Sequence, residues 1–336
     1  MGYLDMKLLK LIIVITIVLI VNACGGGGGG SLSGSSANPL TYTSVATEGE
    51  LISYTVDTTA LTYSYEILDS AYGKKGAVGS GKLVRNSDGT YTPSGFSGKL
   101  VVLDSGLLLG TIYEDLKNDG TKKLIPVIGM SSPVASLAEA VGVYNFVSRQ
   151  CGVACTNYYG TVKVNADGTW SSCVGANLAA PSPTCQGVAN GSVTSFTSGK
   201  ATLTVNGVAG GSMLIFKDPS SQQKVVLLDL NGSTALGKGA IFGASQSLPA
   251  SADGNWHYAH TDGTQGIVTL TGNSFTDSGK NSNGTVYGPL AGSITRNLPW
   301  NGFVTTTGGA IIMPAGSGLY AGYFGSLNSM SIGVKK

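Results

Sequence analysis

Gly81-Lys-Leu-Val-Arg-Asn-Ser-Asp-Gly-Thr-Tyr91 and Gly160-Thr-Val-Lys-Val-Asn-Ala-Asp-Gly-Thr-Trp170 are one unit written twice, and Gly266-Ile-Val-Thr-Leu-Thr-Gly-Asn-Ser-Phe275 repeats it one residue shorter. Each reads as strand, tight turn and strand ending on an aromatic. In the turns, Asn and Asp side chains satisfy local backbone groups and glycine accepts positive φ. Each hairpin follows an aromatic-x-aromatic pair: Tyr63/Tyr65, Tyr144/Phe146 and Trp256/Tyr258. Residues i and i+2 share one face of a strand, so each pair forms a core stripe. Thr41–Val45, Leu51–Val56 and Leu61–Leu68 add β-branched and aromatic alternation.

Composition agrees with this reading. The 336 residues include 51 glycines and 15 tyrosines, with 11% charged and 42% hydrophobic residues. Scarce Lys and Glu disfavour helices, while the apolar share suffices for a core. The expected fold class is all-β: antiparallel hairpin repeats forming small barrel or sandwich units, with one short helix as connector. That helix is expected in Ser132-Pro-Val-Ala-Ser-Leu-Ala-Glu-Ala-Val141, with a serine cap, proline at its first position and Gly142 after its end. It divides segment 39–130 from segment 131–248, and the small polar stretch Pro249–Gly254 opens segment 249–336. The net charge of +2, with no Lys/Arg run longer than two, offers no nucleic-acid surface.

The first 23 residues read as an export signal. Lys7 and Lys10 precede the apolar run Leu11–Val21, which is too short for a ~20-residue membrane span. Asp5 is out of place in a basic leader, so Met6 is the start that fits the pattern better. Val21-Asn-Ala-Cys24 resembles the lipobox of bacterial lipoproteins. The resemblance implies cleavage before Cys24 and acylation of its thiol, which makes the membrane the first partner. Gly25, not Asp, follows the cysteine; by the same resemblance this implies the outer membrane, on its periplasmic or surface face. Residues 24–38 form a Gly/Ser-rich tether with a reach of roughly 20 Å.

Cys151, Cys155, Cys173 and Cys185 fall within 35 residues. In an exported chain they read as two disulfides. Four cysteines allow three pairings, which spacing alone does not decide; local pairing, Cys151–Cys155 and Cys173–Cys185, is the working expectation. Their spacing matches no zinc-knuckle pattern, and no metal or cofactor is expected.

Gly142-Val-Tyr144 and Gly254-Asn-Trp256 resemble the G-x-W strand of lipocalin-like barrels. That resemblance implies small barrels over residues 140–336, in the manner of lipid-tethered barrels of the transferrin-binding and factor-H-binding kind.

Catalytic constellations are missing. Gly76–Leu83 approaches a phosphate-binding loop but puts Leu83 where a hydroxyl is needed and continues as a hairpin. Ser221-Gln-Gln-Lys224 lies in a loop between two expected strands, 212–216 and 225–230. His257 and His260, the only histidines, are read as an outward strand residue and a loop residue. Several aspartates sit in Asp-Gly turns, and nothing in the sequence pairs Asp229 with Glu66. The expected role is therefore non-enzymatic binding at the cell envelope, with a structural role or carriage of a small apolar ligand as alternatives. Asn157-Tyr158-Tyr159 is the candidate exposed contact patch for a protein or glycan.

Overall fold

In a computed structural model, the described residues are 39–96, 98–134, 136–197, 199–218, 221–246, 252–316, 318–325 and 328–336. The leader, Cys24 and the tether lie outside them. The chain from residue 39 folds into three antiparallel eight-stranded barrels, each a meander in chain order. The first comprises β1 (Leu40–Ala46), β2 (Glu50–Asp57), β3 (Thr62–Ser70), β4 (Val78–Arg85), β5 (Tyr91–Pro93), β6 (Val101–Val102), β7 (Leu107–Glu114) and β8 (Lys123–Met130). Its ladder runs β5-β4-β3-β2-β1-β8-β7-β6, and the pair Tyr91–Leu100, bonded both ways at 2.8 Å, joins its two ends.

The second barrel comprises β9 (Gly142–Cys151), β10 (Cys155–Val164), β11 (Thr169–Val174), β12 (Gly187–Thr197), β13 (Lys200–Val205), β14 (Val208–Lys217), β15 (Lys224–Asn231) and β16 (Lys238–Ser245). The third comprises β17 (Gly254–His260), β18 (Gln265–Thr271), β19 (Ser274–Lys280), β20 (Val286–Arg296), β21 (Val304–Thr306), β22 (Ile311–Ala315), β23 (Leu319–Phe324) and β24 (Ser329–Lys335). Both close fully, β9 on β16 and β17 on β24.

The repeated hairpins are β4–β5, β10–β11 and β18–β19. In the first two, Asp88 and Asp167 each accept from the amide two residues on at 2.9 Å, and Gly89 and Gly168 have φ of +73° and +83°. The unit is not at the same place in each barrel: it forms the fourth and fifth strands of the first but the second and third strands of the other two.

Several strand glycines answer aromatics on the neighbouring strand. Tyr63 faces Gly81 across β3–β4, Phe146 faces Gly160, Trp170 faces Gly191, Tyr258 faces Gly266 and Tyr320 faces Gly333. The ring lies over bare backbone: a Cβ on Gly81 would come within 2.9 Å of Tyr63 Cε1, and one on Gly160 within 2.9 Å of Phe146 Cζ. The partner glycine thus makes room for a large ring on the inside of a narrow barrel.

The barrels share one core. Its 24 described residues come from outer faces: seven from the first barrel, including Leu51, Leu109 and Met130; eight from the second, including Val147, Leu227 and Phe242; nine from the third, including Phe303, Met313 and Ile332. Strands in this core are apolar on both sides, as in β7 and β15, and lose the alternation of a half-solvated strand. At one edge Arg149 of β9 ties the three together. Its Nε is 3.1 Å from Glu48 of the β1–β2 turn, and it also donates to Asn157 and to the Asn328 carbonyl before β24.

The connector helix is shorter than the sequence suggested. α1 spans only Leu137–Ala140, with Ser136 at its N-cap. Pro133 instead bridges Phe216 and the Val134 amide bonds Ile215 at 2.7 Å, so this stretch runs along β14 before turning. A strand partner for the backbone outcompetes the local helix signal there.

Two carboxyls are buried where the first and second barrels meet. Glu50 and Asp229 are shielded from solvent, and Glu50 Oε2 and both Asp229 oxygens lack hydrogen-bond partners. Burial pushes Glu50 up to about 7, against the pull of Ser70, and burial with Asp69 and Glu50 nearby raises Asp229 as well. A raised carboxyl binds its proton more tightly folded than unfolded, so this contribution to stability is present at acid pH and is lost as pH rises from about 4.5 through 7. Glu50→Gln is expected to raise the unfolding free energy at pH 8 by on the order of 1–3 kcal/mol and to change little at pH 5, and Asp229→Asn to act in the same direction, read by urea denaturation at both pH values.

Candidate functional site

The interiors differ. The first barrel is filled by tyrosine and aliphatic side chains, with Tyr54 stacked 6.0 Å from both Tyr63 and Tyr65. The third is packed by Trp256, Tyr258, Tyr320 and neighbouring aliphatics. The second holds a cavity of about 420 Å³ that opens at one end.

Its closed end is built from the G-x-aromatic element. Tyr144 Oη donates to the Ala140 carbonyl at 2.5 Å, and in the third barrel Trp256 Nε1 donates to the Ala252 carbonyl at 2.7 Å. Both alanines are fully buried. The recurring pattern is therefore Ala-x-Gly-x-aromatic, in which the aromatic locks the incoming chain under the barrel floor. Gly254, at φ +132°, suits that turn because the region penalises a Cβ. Val134 and Leu137 pack onto the same floor in the second barrel.

Above the floor, Trp170, Val193, Leu203, Met213, Val226 and Leu228 line the cavity. Trp170 Nε1 is bonded to the Thr204 carbonyl at 3.1 Å, so this deep part presents carbon. Towards the opposite end come Gln150, Tyr158, Val174, Gln186, Val188 and Leu236, with Gln186 and Val188 exposed at the rim.

Both disulfides sit at the rim. Cys151–Cys155 staples the β9–β10 hairpin, whose ladder pairs these two residues directly. Cys173–Cys185 ties the end of β11 to the loop before β12. That loop folds down the outer wall of β10, where Thr161 Oγ1 donates to the Ala176 carbonyl and accepts from the Leu178 amide.

Asn157-Tyr158-Tyr159 does not form an exposed patch. Asn157 is buried and donates to Asn328 Oδ1 at 3.1 Å. Tyr159 packs on Trp300, Phe303 and Tyr323 of the third barrel, at centroid distances of 5.6–6.1 Å. Strand alternation sends these two outward into the neighbouring barrel, while Tyr158 turns inward to the cavity.

His257 faces outward on β17, in line with the sequence reading, but is buried against the first barrel, whereas His260 is the last residue of β17 and not a loop residue, and is buried as well. His257 Nδ1 is 2.8 Å from Lys99 Nζ, and burial with the Lys99 charge pushes its ring down to about 4. His260 is held between the rings of Tyr258 and Phe324, each at 4.8 Å, and burial likewise pushes it to about 4. Packing of the first barrel against the third covers a face that β17 would otherwise expose. Glu48, Cys151 and Cys155 cluster closely enough for metal ligation, but both sulfurs are bonded to each other and Glu48 pairs with Arg149.

Fold and cavity together define a protein of three antiparallel eight-stranded barrels, the second of which holds the cavity. No family model matches the chain, and no curated protein matches it. Among solved structures, it is similar to the crystal structure of a protein of unknown function of the DUF3598 family from Nostoc punctiforme. The two share 11% identity over 89% of this chain and 94% of that one, with a TM-score of 0.20.

Replacing Cys173 and Cys185 by serine is expected to free the loop from β10 and lower the unfolding free energy by about 2–3 kcal/mol, measured by urea titration.

Proposed function

We propose that the chain is an exported lipoprotein, tethered to the outer membrane through lipid on Cys24, whose second barrel carries a small apolar molecule. The cavity carries this reading. At about 420 Å³ it falls within the range of small-molecule sites, and its walls are mostly aliphatic and aromatic. The anchor rests on Val21-Asn-Ala-Cys24, the apolar leader and the glycine tether. Cysteines paired as Cys151–Cys155 and Cys173–Cys185 suit an oxidising compartment. The role proposed is binding; His257 faces Lys99 and His260 lies between rings, and neither lines the cavity.

Ala189 lines the cavity on β12, and Ala189→Trp fills it without removing wall atoms. Wild-type protein is expected to bind N-phenylnaphthylamine one to one with enhanced fluorescence, and the variant to lose that binding with its fold intact. Equal binding by both would contradict carriage. In bacteria fed an alkyne fatty acid, the wild type is expected to be labelled and Cys24→Ala unlabelled; label on the variant would contradict the anchor.

A further inference from the structure

The polar groups around the cavity divide by depth. Below the rim they are spent: Tyr144 Oη on the Ala140 carbonyl, Trp170 Nε1 on the Thr204 carbonyl and, between Trp170 and the rim, Ser172 Oγ on the Ala189 carbonyl at 3.4 Å. At the rim, Gln150, Tyr158 and Gln186 bring two amides and a phenol to the same opening. Gln150 Nε2 has only a long 3.5 Å contact to Ser148. None of the described side chains lining the cavity is ionisable near neutral pH.

From this division we infer that the ligand is an uncharged amphiphile, with a hydroxyl, carbonyl or ester head at Gln150 and Gln186 and an apolar tail running past Trp170 towards Met213. The inference rests on the carriage reading above and adds the chemistry of the head. A carboxylate or ammonium head held between these amides would meet no opposite charge among the lining side chains and would keep only the hydration that the half-exposed rim allows, which is unfavourable. An alcohol gives up far less and finds both a donor and an acceptor in either amide. The tail direction follows because an unpaired polar group in the carbon-lined depth would have no partner.

The test uses three probes of equal chain length, dodecanol, dodecanoate and dodecylammonium, titrated at pH 8 into the mature full chain by displacement of N-phenylnaphthylamine. Dodecanol is expected to bind about tenfold tighter than either ion, as an unpaired charge at a half-exposed rim implies. Gln150→Ala with Gln186→Ala is expected to weaken dodecanol about tenfold and to leave N-phenylnaphthylamine unchanged. If either ion binds as well as dodecanol and Ala189→Trp abolishes that binding, the uncharged-head inference is wrong while carriage stands. If the double variant binds dodecanol like the wild type, the head has been placed wrongly. If neither the probes nor N-phenylnaphthylamine bind, carriage itself fails and this inference with it.

Discussion

The structure depends on burial of the outer barrel faces against one another. A small barrel fills its interior with one set of alternating side chains and leaves the other set facing out. Here that outer set is also apolar along β7, β14, β15, β16, β22 and β24, and it is removed from water only because three barrels meet. The polar groups that cannot join this core gather at its edges: Arg149 with Glu48 and the Asn328 carbonyl on one side, Asn145 with Trp300 and the Asn301 carbonyl on another. Glu50 and Asp229 are the costly exceptions, and they make the junction of the first two barrels sensitive to pH.

The same contacts account for how a cavity persists in the second barrel. A void lined by side chains forfeits dispersion contacts, and the walls tend to relax into it. β9, β14, β15 and β16 are backed by the common core, through Val147, Leu214, Leu227 and Phe242. They cannot move inwards without opening that packing. β12 has an outer face in solvent and lacks such backing. Its entry loop is the one held to β11 by Cys173–Cys185, so a covalent bond supplies restraint where packing does not.

Local features were readable in the sequence because their causes are local. The Asn-x-Asp-Gly turns are set by hydrogen bonds within four residues, and the aromatic-x-aromatic stripes by strand alternation. The glycine that opens each repeated unit was visible, but its reason was not, since Gly81 and Gly160 answer rings on neighbouring strands. The helix signal around Pro133 was overridden by pairing with Phe216, a residue 83 positions away. Alternation places Asn157, Tyr159 and His257 on outer faces but does not tell whether another barrel covers them; His260 differs for another reason, since β17 extends to it and puts it on the inner face beside Tyr258. No single residue marks the cavity in the sequence, because Val162, Val193 and Leu203 would read the same in a filled barrel. The one usable signal was the contrast between tyrosine-rich inner stripes in the first barrel and valine-rich ones in the second.

Crystals of the mature protein under xenon pressure test the central claim directly, because xenon settles in dry apolar cavities large enough to hold it. The account predicts xenon density inside the second barrel, among Val193, Leu203 and Val226, and none inside the first or third. A second barrel without xenon, either collapsed onto Trp170 or filled by ordered water, would contradict it.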